Sequence, residues 1–155
     1  MKQPRCVKLK AQLAAELEAE AERHRPRESG GVLLGRTSAG GRDLELTELV
    51  GAGPKAKRER HRFTPDGPWQ RAEIAERHRR SPIGLAYLGD WHSHPSGGGP
   101  SERDRRTAAK IAATERALCP HPIMLIATRS RGNWELRAYL YARRRLRRIE
   151  VEVSN

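Results

Sequence analysis

The sequence predicts a mixed α/β fold in which helices flank a central sheet. Three observations carry this. A helical period opens the chain, and short apolar or alternating runs recur after it. The two kinds of segment interleave as helix, two strands, helix, strand, loop, helix and three strands. Segments that interleave in this way bury their apolar faces best as helices packed on a sheet. With 155 residues and no repeat, low-complexity segment or linker, the chain reads as a single domain over residues 1–155.

Each element has a local reason. Leu9, Leu13, Leu17 and Ala21 recur every four positions within Leu9–His24, one apolar helix face, and Pro26 ends it. Gly30-Gly31 leads into Val32–Gly35, a short buried strand; Ser38–Gly41 is a turn, and Leu44–Val50 alternates as a half-buried strand does. Gly51–His61 is basic and unpatterned, hence a loop, with a brief strand starting at Arg62-Phe63. Asp66 can cap a helix with Pro68 in its first turn, running Trp69–Arg79 with Trp69, Ala72, Ile74 and Ala75 on its apolar side.

Ile83–Trp91 reads as a central strand ending at His92. A helix starts at Ser101, continues through Thr107–Ala117, and is expected to bury Ala108, Ile111, Ala112 and Leu118. His121–Thr128 is a core strand. Gly132-Asn133 turns the chain into Trp134–Tyr141, and Arg144–Val153 alternates again. The arginines of Arg143–Arg148 fit a charged sheet edge that discourages further pairing.

Composition narrows the function classes. A net charge of +12 attracts acidic partners, whether nucleic acid, an acidic protein face or an anionic membrane, without choosing among them. The arginines are spread along the chain, which also fits an Arg-rich source composition. Few aromatics lie among the basic stretches Lys55–Arg62 and Arg143–Arg148, which argues against a base-stacking platform, so nucleic acid is not an expected partner. The longest apolar run, Ile123–Ala127, is too short to span a bilayer, so no membrane partner is expected. Cys6 and Cys119 form no disulfide framework and no signal-peptide core can be drawn near the N-terminus, so a cytoplasmic location is expected.

The chemistry concentrates in one stretch. His92 and His94 stand two residues apart, and Asp104 lies ten residues past the second. Extended backbone puts both imidazoles on one side, and the glycines at 97–99 allow a sharp turn that returns Asp104 toward them. Two imidazoles and a carboxylate are zinc ligand types, and three protein ligands leave a fourth position open, as a catalytic site needs. Ser101 has two readings: an N-cap for the following helix, or a hydroxyl that donates to an oxyanion. Glu28, just before Ser29-Gly30-Gly31 and a strand, is a candidate proton acceptor. His24, His61, His78 and His121 are assigned to packing or solvent. Cys119-Pro120-His121 lacks further ligands and reads as a loop. The His-x-Glu and Pro-Cys-x-x-Cys signature of zinc nucleoside deaminases is missing.

The segment from Glu28 through Ser29-Gly30-Gly31-Val32-Leu33-Leu34-Gly35, together with Trp91-His92-Ser93-His94-Pro95, Ser101 and Asp104, resembles the two halves of the JAMM motif. That motif marks the Mov34/MPN/PAD-1 metalloproteases, the JAB/MPN fold. The resemblance runs from about residue 9 to 141 and departs once: six residues, Pro95 to Pro100, separate the second His from the Ser where the family has seven. It implies a cytidine-deaminase-like α/β/α core holding one Zn2+. His92, His94 and Asp104 would be the ligands, Glu28 the general acid/base and Ser101 the oxyanion helper.

It also implies cleavage after the C-terminal glycine of a ubiquitin or ubiquitin-like protein. Bacterial members, which the chain's size and Gly89-Asp90-Trp91-His92 stretch resemble, include deconjugases in antiphage operons with ubiquitin-like conjugation enzymes, the expected partners. Two alternatives stay open: a peptidase that processes sulfur-carrier proteins, and a non-catalytic MPN scaffold, which the filled motif positions argue against.

Overall fold

The computed structural model describes residues 3–81 and 83–155. Met1, Lys2 and Pro82 lie outside the described residues, and the signal-peptide reading of the N-terminus falls partly on the first two. The elements run β1 (Cys6–Lys10), α1 (Ala11–His24), β2 (Gly30–Thr37), β3 (Asp43–Val50), β4 (Lys57–Glu59), β5 (Arg62–Thr64) and α2 (Gly67–Arg80). They continue with β6 (Ala86–His94), α3 (Glu102–Ala113), a 3-10 turn (Glu115–Ala117), β7 (Ile123–Ser130), β8 (Asn133–Ala142) and β9 (Arg145–Ser154).

Seven strands form one mixed sheet in the order β1-β3-β2-β6-β7-β8-β9, and β4 and β5 make a separate hairpin. β1 pairs in parallel with both β3 and β9, so the sheet closes on itself. β6 and β7 are also parallel, and the remaining neighbours are antiparallel.

Two layers of helix cover this sheet. On one face Val7, Leu33, Ile123, Leu125 and Leu140 pack against Ala14, Leu17 and Ala21 of α1. On the other, Met124, Ile126 and Tyr139 lie under Ala108 of α3, while Val32, Leu34 and Val50 meet Trp69 and Ile74 of α2. β7 shows why one strand reads as a continuous apolar run: its odd residues feed one layer and its even residues the other. Each fully buried Leu or Ile stabilises by about 1.5–3 kcal/mol, so β7 is a main anchor of the fold.

The α/β/α architecture agrees with the sequence reading, and several local expectations are corrected. Leu9 belongs to β1, not to the first helix, because Cys6–Lys10 find partners on two strands. The 51–61 loop contains β4, closed by β5 into a hairpin. Ala72 and Ala75 of α2 are exposed. Ile83 is exposed and outside β6, whose pairing with β2 begins only at Ala86. β6 continues through His94 because β7 pairs with it up to His94 and Thr128. α3 stops at Ala113, where the Thr114 hydroxyl donates to the Lys110 carbonyl at 2.7 Å, and Leu118 is exposed. The arginines of β9 do not mark a free edge: that strand is paired on both sides.

Candidate metal centre and active site

The parallel pairing of β6 with β7 holds the backbone extended through His92, Ser93 and His94, so both imidazoles face one side and Ser93 the other. The loop that follows turns back at once. Gly97 and Gly98 take positive φ of 84° and 93°, and the Gly97 N–H donates to the His94 carbonyl at 3.0 Å. Such backbone suits glycine and little else. The loop is tied down where the Thr128 hydroxyl donates to the Gly98 carbonyl at 3.0 Å.

Ser101 then caps α3 in a reciprocal box. Its hydroxyl accepts from the Asp104 N–H at 3.1 Å, and its own N–H donates to Asp104 Oδ2 at 2.8 Å. This is the N-cap reading of Ser101. The hydroxyl oxygen is occupied by the cap while its hydrogen stays free to donate.

Three donor groups converge as a result. His92 Nε2 and His94 Nε2 lie 2.9 Å apart, and the Asp104 oxygens lie 3.2 Å from the first and 3.5 Å from the second. Ligands at 2.0–2.2 Å from a tetrahedral zinc are separated by about 3.3 Å, so these spacings fit one ion. The donor set argues the same way. His94 Nδ1 faces the Gly98 carbonyl at 3.4 Å, which leaves a lone pair on Nε2. A lone pair, a second imidazole nitrogen and a carboxylate pointing at one another need a cation or proton between them.

The charges respond accordingly. Burial alone would raise the Asp104 carboxyl, yet hydrogen bonds from His92 and His94 hold it well below the usual carboxylate range. Burial pulls His94 down, but the bond to Asp104 and the charges of Asp104 and Glu28 leave it raised.

Glu28 arrives from a distant part of the chain. Gly30 pairs with His92 across β2 and β6, which places the residues before Gly30 beside the histidines. Glu28, His92 and His94 offer ligand-type atoms within 4.8 Å of one another. The Glu28 carboxyl is raised, chiefly by burial and by Asp104, against the pull of both histidines.

A second set of residues, which lie inside the two motif halves but to which the sequence assigns no role, fixes this approach. The Ser29 N–H donates to Ser93 Oγ at 2.9 Å and the Ser93 N–H to the Ser29 carbonyl at 2.8 Å, with both side chains fully buried. The Ser29 hydroxyl donates to Glu20 of α1 at 3.3 Å and accepts from Arg58 of β4 at 3.0 Å. Alternation along an extended His92–His94 is the one sequence signal for Ser93, since it must point inward when the histidines point out.

A cleft of about 440 Å³ surrounds these groups. Its lining includes Glu28, His92, His94, Ser101 and Asp104, with Asp90 and Met124 from the sheet and Arg60–Pro65 from the β4–β5 hairpin. His61, assigned above to packing or solvent, lies in that lining. Asp90 accepts from the Tyr87 hydroxyl at 2.7 Å and is pushed up to about 6, mainly by burial.

Fold and side chains together give a mixed α/β domain with a donor cluster suited to a metal ion. The family of prokaryotic homologs of the JAB domain matches residues 10–140, and the chain belongs to it. A protein named "Probable metalloprotease y4qB", from Sinorhizobium fredii (strain NBRC 101917 / NGR234), is 33% identical over 123 residues, 78% of this chain and 74% of that protein. A "CD-NTase/cGAS isopeptidase" of Enterobacter hormaechei subsp. hoffmannii (strain UCI 50) is 44% identical over 50 residues, 32% of this chain and 28% of that protein. The solution structure of protein DSY2949 from Desulfitobacterium hafniense shares the fold, with a TM-score of 0.73 at 20% identity, covering 96% of this chain and 93% of that one.

Proposed function

We propose that the chain is a zinc-dependent isopeptidase or peptidase that cleaves after the C-terminal glycine of a ubiquitin-like protein, with residues 1–155 acting as a single catalytic domain. The observation that carries this reading is the convergence of His92 Nε2, His94 Nε2 and the Asp104 carboxylate, with Glu28 beside them. In this reading His92, His94 and Asp104 hold the ion. When bound, zinc supplies Lewis acidity toward a carbonyl and toward water.

The chain's own residues handle the protons. The Glu28 carboxylate accepts a proton from the attacking water as its oxygen bonds to the scissile carbonyl carbon. It returns that proton to the amine nitrogen as the C–N bond breaks. Partial burial suits Glu28 to this exchange, because it keeps the protonated form accessible. The Ser101 hydroxyl, with its hydrogen free of the helix cap, donates to the oxygen that becomes negative.

The short stretch shared with the CD-NTase/cGAS isopeptidase supports the isopeptidase reading, and the motif resemblance extends it to deconjugation of a ubiquitin-like protein in a bacterial antiphage system. The enzymes of that conjugation system are then the natural partners, in the cytoplasm. No helix among the described residues is long and apolar enough to cross a membrane.

Metal content by mass spectrometry, paired with cleavage of a panel of ubiquitin-like fusions, tests this. About one zinc per chain, lost in His92→Ala together with cleavage, is the expected result. A metal-free protein after refolding with added zinc would favour the scaffold reading instead.

A further inference from the structure

A second concavity lies at the other pole of the barrel. Glu28 precedes β2 and Arg42 follows its far end, and eight strand residues span about 26 Å. The β8–β9 turn is at the same far pole, since Ala142 pairs with Arg145 there while Asn133 pairs with Ser130 near the site end. Between these turns opens a depression of about 640 Å³ lined by Gln3, Ala142 and five arginines: Arg5, Arg42, Arg143, Arg145 and Arg147.

No acidic residue lines it. Among the described residues none of the five arginines makes an ion pair, whereas Arg36 on β2, Arg137 on β8 and Arg148 on β9 itself all do. Asp43, next to Arg42, is taken by Lys8 at 3.0 Å. The one side-chain bond among the lining residues runs from Arg147 to Gln3 at 3.4 Å. Five guanidiniums facing one hollow repel each other until an anion enters.

The turn adds an independent observation. Arg143 and Arg144 both have positive φ, 51° and 66°, the backbone of a two-residue hairpin turn that favours Asn and Gly. Arginine at both positions goes against that local preference and puts two guanidiniums at this pole. Arg145 and Arg147 then project from one face of β9, about 7 Å apart.

We propose that this pole binds a nucleic-acid backbone, holding its phosphates through Arg5, Arg42, Arg143, Arg145 and Arg147, independently of the catalytic cleft. Guanidinium forks match phosphate oxygens two at a time. The lining offers no aromatic and, apart from Ala142, no apolar side chain. A protein interface would want such anchors at its centre, and base reading would want a stacking surface, whereas phosphate contact needs neither. Binding is therefore indifferent to base sequence.

The test is fluorescence anisotropy with a labelled 20-nucleotide single strand of mixed sequence, titrated with the full chain at several salt concentrations. Arg145→Ala/Arg147→Ala is compared with Arg116→Ala/Arg131→Ala, which removes the same charge from exposed positions elsewhere. Arg5→Ala/Arg143→Ala serves as a second pole variant, and all are checked by thermal melting. The expected result is binding weakened about tenfold in each pole variant, with the log–log salt slope reduced by about 1.4 for two lost phosphate contacts. The control stays within about twofold, because it removes no phosphate contact. Absence of binding to the wild-type chain overturns the proposal. So does equal weakening in the control, which would mean diffuse attraction to a +12 protein, or displacement of the strand by a polyglutamate peptide at matched charge, which would mean an acidic protein partner.

Discussion

The cleft is assembled from two halves that differ in how they are built. His92, His94, Ser101 and Asp104 lie within one strand–loop–helix unit, and local rules bring them together: alternation, two left-handed glycines and a reciprocal helix cap. Glu28 has no such local tie. It reaches the histidines through the pairing of Gly30 with His92 and through the Ser29–Ser93 clamp, 64 positions apart in the chain. The His92–His94–Asp104 cluster is thus local, while the position of Glu28 beside it depends on a seam between distant strands.

The largest effect should come from breaking the local half. His92→Ala or His94→Ala removes one of three converging donors, and both bound metal and peptidase activity should disappear together. Metal analysis beside a fusion-cleavage assay checks it; retained activity in a metal-free variant would break the comparison at once. Glu28→Ala acts on the other half alone. Activity should fall by about 10²–10⁴, the usual share of a general acid/base, while metal content stays at the wild-type level. Full activity in that variant would remove Glu28 from the mechanism.

The seam itself gives a smaller and more diagnostic effect. Ser93→Ala leaves the Ser29 N–H buried without its acceptor, at a cost of about 1–3 kcal/mol in stability. It should lower kcat about tenfold through misplacement of Glu28, with KM and metal content nearly unchanged. Loss of stability with unchanged kcat would make the clamp structural only. Gly30 guards the same seam, since a Cβ there would stand 2.3 Å from the Trp91 carbonyl oxygen. Gly30→Val should therefore cost upward of about 3 kcal/mol in a melting experiment, and a wild-type melting temperature would show the strands free to part.

The smallest effect is electrostatic and sharpens the local half. In metal-free protein Asp104 is depressed, so its contribution is present above the unfolded value near 3.9 and lost as pH falls below it. His94 is raised, so its share is complete below about 6.5 and lost as pH climbs through the raised value. Asp104→Asn should thus destabilise the metal-free protein most between about pH 4 and 6.5, by about 2 kcal/mol, and less on either side. A penalty flat across pH would mean that packing, not charge, sets it.

The sequence by itself determined the three helices, the core strand around Leu125, and the turn that brings Asp104 back to His92 and His94, because each rests on interactions within a few residues. Tertiary structure alone decided the rest. Leu9 looked like the start of a helix until two strands captured it, and the arginines of β9 looked like an edge until β1 closed the sheet. Ile83 and Leu118 were apolar residues with nothing opposite them, so they stayed in water. Ser29 and Ser93 lie within the two motif halves, but the sequence does not show that they pair, since a serine acquires that role only when a partner stands across from it. The five arginines of the far pole are in the same position: three separate segments carry them, and only closure of the barrel brings them to one hollow. Local periodicity reports which face of an element is apolar, but the strand register, set by packing over the whole chain, decides what that face meets.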